Sequence, residues 1–175
     1  MACGGSSPNL APASNALTDV QDCVTAAVAG DIITLASGTT SWAGTLTINK
    51  NITVIGNGCT LDANNRPTAC NTIIQDATTG TLINIVPPAC VACGGHPRLS
   101  SIEFRESSRN GTGVPFVVDG GSSEDDRRFR IDHVFFNQLD HSGVGAMQIA
   151  TIYGLVDHNN FDTVDATRHA IFIYN

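Results

Sequence analysis

The nine residues "FRIDHVFFN", from Phe129, and "GLVDHNNFD", from Gly154, set an aliphatic residue, an Asp-His pair and a Phe in the same order. A looser copy precedes them. Leu99 and Phe104, Ile131 and Phe136, and Val156 and Phe161 are each five positions apart, and the copies are offset by 32 and 25 residues. On a straight strand, residues five apart face opposite sides. Both can point inward only if the chain bends between them, and a polar pair such as Asp-His suits the bend. About 25 residues at about 3.3 Å each make a circuit of about 80 Å, long enough to enclose a packed core. The longer first offset contains "GGSSEDDRR", which reads as a loop protruding from one coil.

Composition agrees. Aliphatics are mostly β-branched, with 15 Ile and 13 Val against 9 Leu, and 18 Thr and 14 Asn accompany them. Such side chains pack on pleated surfaces, and Asn suits turns. Hydrophobic residues reach 42%, which argues against disorder. After Gly30 nearly everything alternates short β runs with Gly, Asn, Asp, Ser or Pro, so a doubly wound α/β sheet is disfavoured. An antiparallel sandwich and a solenoid of parallel strands both fit that rhythm. The internal copies decide for the solenoid.

One helix is signalled, over residues 18–29. Thr18 can cap it, with Gln21 as capping-box partner, and Gly30 offers a left-handed stop. Val20, Cys23, Val24, Ala27 and Val28 fall on one face. Residues 1–14 read as a flexible leader and 15–175 as a single domain with coils from residue 31 onward.

The net charge of −7, with a single lysine, lacks the positive balance that grips nucleic acid or anionic membranes. No apolar run approaches the roughly 20 residues of a membrane span. Six cysteines point to disulfides and an oxidising compartment, with Cys3–Cys23, Cys59–Cys70 and Cys90–Cys93 as the expected pairs. Only Cys90 and Cys93 have knuckle spacing, so a zinc site, which needs a second such pair, is disfavoured.

The run "ALTDVQDCVTAAVAGDIITLASGTTSW", followed by "GTLTINKNITVIGNG", resembles the N-terminal portion of right-handed parallel β-helix proteins of the pectate-lyase-like superfamily. The matching features are the amphipathic helix, Gly30-Asp31-Ile32, the small turn Ser37-Gly38-Thr39, and Ile52-Thr53-Val54-Ile55-Gly56-Asn57-Gly58. The likeness covers about residues 14–62. It implies an all-β, right-handed parallel β-helix with a short N-terminal helix capping the first coil. The closing "RHAIFIYN" carries no such cap, so the chain is expected to be part of a longer solenoid or to have its open coil covered by another subunit.

If the two corners stack, Asp132 and Asp157 lie about 4.8 Å apart. Two carboxylates that close repel, so one takes a proton or a cation sits between them. The resemblance implies stacked Asp residues holding Ca2+, which casts Asp132 and Asp157 as metal ligands. It makes Arg168 the candidate base or carboxylate clamp, with His133, His158 and His169 as helpers. Against this stands a structural reading, in which Asp at a bend accepts backbone hydrogen bonds and stacked His fills a corner. The function implied is that of a secreted or cell-surface carbohydrate-active protein, part of a polysaccharide lyase or glycoside hydrolase with a polysaccharide ligand. The alternative is a noncatalytic module, such as an adhesin, tailspike part or filament subunit, that self-associates through its open end.

Overall fold

A computed structural model of the chain describes residues 3–89, 95–106, 113–121, 127–139, 145–150, 152–162 and 170–174. It is mostly β. A hairpin of β1 (Cys3–Ser6) and β2 (Asn9–Pro12) leads into α1 (Leu17–Ala26), the one helix among the described residues. Five circuits of three strands follow. The first is β3 (Ile32–Thr34), β4 (Gly38–Trp42) and β5 (Leu46–Ile48). In the second, a hairpin of β7 (Cys59–Leu61) and β8 (Pro67–Cys70) interrupts β6 (Thr53–Ile55), β9 (Thr72–Asp76) and β10 (Ile83–Ile85). The third is β11 (Arg98–Ser100), β12 (Glu103–Glu106) and β13 (Phe116–Asp119), and the fourth β14 (Arg128–Asp132), β15 (Phe135–Asn137) and β16 (Met147–Ala150). The fifth is β17 (Tyr153–Asp157), β18 (Asn160–Asp162) and β19 (Ile171–Tyr174).

Each circuit adds one parallel strand to each of three sheets. The first sheet runs β1-β2-β3-β6-β11-β14-β17, the second β4-β9-β12-β15-β18 and the third β5-β10-β13-β16-β19. The register is the one the sequence copies imply. Leu99 pairs with Ile131 and Ile131 with Val156, while Phe104 pairs with Phe136 and Phe136 with Phe161. Phe136 and Phe161 stack with ring centroids 4.4 Å apart. Ser101, His133 and His158 sit at the bends with φ of 58°, 54° and 53°. That left-handed residue resets the alternation, so Ile131 and Phe136 both point inward and are buried.

The interior is aliphatic and aromatic through four circuits and opens at the fifth. Ile48, Ile85, Val118 and Ile149 form one buried column, but Ile173, next in register, is 75% exposed. Trp42 is buried and donates its indole N–H to the Asn15 carbonyl.

At the other end α1 covers the first circuit, but its boundaries differ from the expected 18–29. Thr18 does not cap it; Ala16 holds the N-cap position without a side-chain bond. The Gln21 amide instead serves Thr47 in β5, accepting from its N–H at 2.9 Å and donating to its carbonyl at 3.3 Å. β5 is the edge of the third sheet, so one side of it has no strand to pair with, and Gln21 supplies both bonds there. The helix stops at Ala26, where the Lys50 ammonium donates to the Thr25 and Ala27 carbonyls. Val28 lies outside the helix and is exposed, contrary to its expected place on the buried face.

The expected flexible leader is also corrected. β1 and β2 form an antiparallel hairpin, and β2 pairs in parallel with β3. β3 would otherwise leave an open sheet edge, and the Cys3–Cys23 disulfide fastens the hairpin to α1. Cys59–Cys70 closes the second hairpin. The two disulfides accord with an oxidising environment. Cys90 and Cys93 lie outside the described residues. Among the described residues, no helix is long and apolar enough to cross a membrane.

Candidate functional site

The Asp-His pairs stand where the first sheet bends into the second. Asp132 ends β14 and Asp157 ends β17, paired in register, and each is followed by a His at the bend. The imidazoles of His133 and His158 stack with centroids 5.2 Å apart and planes within 3°. Each is held by the carboxylate before it, His133 Nδ1 lying 3.1 Å from Asp132 and His158 Nδ1 2.8 Å from Asp157.

Repulsion between the carboxylates is relieved by arginines. Arg98 clamps Asp132 with both arms of its fork, Nε to Oδ1 at 2.7 Å and an Nη to Oδ2 at 2.6 Å. Arg130 lies between the pairs, 3.2 Å from Asp157 and 3.6 Å from Asp132. Burial pushes the Asp132 carboxyl up, but the hydrogen bonds from Arg98 and His133 and the charges of Arg98 and Arg130 bring it below its ordinary value. The hydrogen bond to Asp132 raises Arg98 in turn, against the effect of burial.

A calcium ion does not fit between these carboxylates. Asp132 has a fully buried side chain and commits both oxygens to the guanidinium fork, with His133 on one of them. The cation that relieves the pair is Arg98, with Arg130 beside it. Among the described residues there is no group of three or more His, Cys, Asp or Glu that could hold a metal. At Asp132 the guanidinium of Arg98 stands where the resemblance implied a metal ion, and it delivers charge and two directed donors at once.

The β7–β8 hairpin leans over this corner. Asp62 shapes its tip by accepting from the Asn64 and Arg66 backbone N–H groups and pairing with the Arg66 fork. Asn65, at φ 62°, reaches His133 Nε2 at 3.1 Å, and Asn160 donates to the Pro67 carbonyl at 3.0 Å. Both ring nitrogens of His133 are therefore engaged. His158 Nε2 has no hydrogen-bond partner among the described residues, and the His158 side chain is 45% exposed. Asp157 Oδ1 is likewise buried without a partner among them.

Of the residues expected to form a site, Asp132, Asp157, His133 and His158 come together. Arg168 and His169 lie outside the described residues. Sequence reasoning missed Arg98 and Arg130. Their signal was present: the register aligning Leu99 with Ile131 also aligns Arg98 with Arg130, on the outward face two residues before Asp132.

A cleft of about 340 Å³ adjoins the ladder on the outer face of the first sheet, with Arg130 in its wall. No family model matches the chain, and no curated protein is significantly similar to it. Among solved structures, ORF18 of Geobacillus virus E2 is similar at 11% identity with a TM-score of 0.43. The match covers 93% of this chain and 44% of that one, so the chain spans less than half of that protein's length. A likeness of this order carries no argument about fold or function.

Proposed function

We propose that this chain is a right-handed parallel β-helix that acts outside the cell on polysaccharide, as part of a lyase or glycoside hydrolase. The strict rotation of the chain through three parallel sheets supports the β-helix, and the two disulfides support the compartment. The observation that carries the enzymatic reading is the Asp157–His158 pair. Its carboxylate holds Nδ1 at 2.8 Å, which leaves Nε2 of a half-exposed imidazole aimed away as a proton acceptor. A hydrolase using Asp132 and Asp157 as acid and base is disfavoured, because Asp132 is fully buried under Arg98.

The elimination reading fits better. His158 Nε2 takes the proton beside a uronate carboxylate, a carbon–carbon double bond forms as the glycosidic C–O bond breaks, and the departing sugar oxygen gains a proton. The unsaturated product absorbs in the ultraviolet. The chain is screened against acidic and neutral polysaccharides for that absorbance, with His158→Ala and His133→Ala beside it. Loss of turnover in His158→Ala alone is expected. Full turnover in that variant, or none on any substrate, overturns the enzymatic reading.

A second reading, a noncatalytic surface module that self-associates, is favoured by the apolar side chains exposed on the last circuit. Tyr153 is 70%, Leu155 49% and Ile173 75% exposed. Sedimentation velocity over a range of concentrations tests it, and a concentration-independent monomer counts against it.

A further inference from the structure

The first circuit begins the stack, so each of its strands presents an open edge unless something covers it. Two of the three edges are guarded. β2 pairs with β3, and the Gln21 amide serves Thr47 of β5. At the corner between β3 and β4 the Asn15 amide does the same for Ala36, accepting from its N–H at 2.9 Å and donating to its carbonyl at 2.8 Å. In both places a side-chain amide stands in for the peptide group of a neighbouring strand.

β4 differs. It ends the second sheet, with β9 on one side of it and no strand on the other among the described residues. Gly38 donates to the Asn71 carbonyl and Trp42 accepts from the Ala77 N–H, so both turn their backbone toward β9. Alternate residues of a parallel strand turn to opposite sides. The N–H and C=O groups of Thr39 and Ser41 therefore face the open edge, where none of the four has a hydrogen-bond partner among the described residues. A lysine, a proline or a bulge commonly protects such an edge, and Gly38–Trp42 has none of them. Beside it lies a cleft of about 360 Å³, between residues 14–16 and 36–40, lined by small uncharged side chains.

We infer that the edge of β4 takes up an extended segment of a partner protein as an added strand, its side chains uncharged and small or β-branched. Four backbone groups at strand spacing match a peptide backbone, and Asn15 and Gln21 already answer the neighbouring open groups with peptide-like amides. A charged side chain entering the cleft gives up water and meets no opposite charge in its walls. The site lies at the opposite end of the stack from the apolar residues exposed on the last circuit, and it stands independently of the polysaccharide reading.

Amide hydrogen exchange of the whole chain, read residue by residue by NMR, tests the inference. The probe is an end-blocked Thr-Val-Thr-Val-Thr peptide on a Gly-Ser tail. Without it, the Thr39 and Ser41 amides are expected to exchange at least about tenfold faster than those of Thr40 and Trp42, which face β9. With about 1 mM peptide they are expected to slow about tenfold, which corresponds to a Kd of about 0.1 mM. The same peptide N-methylated at every Thr and Val is expected to slow neither. Thr39→Pro removes one donor at a position where an edge strand tolerates proline, and is expected to abolish the slowing at Ser41 with the melting temperature unchanged. No slowing, equal slowing by the N-methylated peptide, or slowing that survives in Thr39→Pro overturns the site. Protection of Thr39 and Ser41 that grows with protein concentration and needs no peptide assigns the edge to a second copy of this chain and overturns the partner.

Discussion

Residues 129–137 and 154–162 carry one pattern on adjacent circuits, yet the two stretches meet different fates. Asp132 is completely buried, while the Asp157 side chain keeps 20% of its surface in water. His133 is engaged through both nitrogens and His158 through one among the described residues. Phe136 lies between Phe104 and Phe161, whereas Phe161 is only half-buried. The difference comes from neighbours. The fourth circuit has a strand on both sides in every sheet and the hairpin leaning over its corner. Among the described residues the fifth supplies the end strand of each sheet. A motif copied along such a stack is structural where it is enclosed and chemically available where it is not.

Truncating the enclosed member should cost most. Phe136→Ala should lower stability by about 4 kcal/mol, since its cavity has packed rings on both sides, and Phe161→Ala by about 1–2 kcal/mol. Equilibrium urea denaturation measures both, and equal losses would erase the distinction between circuits. Asp132→Ala should cost about 3 kcal/mol, the low end for a broken buried pair. Arg98 and Arg130 stay about one-third exposed and recover some hydration. Asp157→Ala should cost under about 1 kcal/mol.

Acid sharpens the same contrast. A carboxyl held below its ordinary value contributes stability that is present above the unfolded value, about pH 4, and is lost as pH falls through the lower folded one. Wild-type protein should therefore lose stability below about pH 4, and Asp132→Asn should flatten that loss in a pH series of melts. Replacing Cys59 and Cys70 with Ser together should cost about 2–3 kcal/mol for a loop of this size. It should free the His133 ring, read by nitrogen-detected NMR, while Asp157–His158 is unchanged. Asn65→Ala should do the same to the His133 ring at about 0.5–1 kcal/mol, the smallest effect.

Much of the fold was legible. The five-residue spacing of aliphatic and Phe predicted an inward–bend–inward path, and Ile131, His133 and Phe136 follow it. The pairs Cys3–Cys23 and Cys59–Cys70 were foreseen. The boundaries of α1 were not, because Gln21 bonds the Thr47 backbone in the first circuit and Lys50 reaches back to the Thr25 and Ala27 carbonyls at the helix end, contacts that a local capping rule does not see. The leader was misread for a related reason. Cys3–Ser6 has no strand pattern of its own and is ordered by β2, which pairs with β3, and by a disulfide.

For the site, the sequence was sufficient to bring Asp132 beside Asp157 and His133 beside His158, because register follows from side chains that must share an interior. It could not say what neutralises the carboxylates. Arg98 lies 34 residues before Asp132, and Asn65 lies 68 before His133. Those contacts depend on how far a side chain or a hairpin reaches across neighbouring circuits, a distance in space that no local pattern encodes.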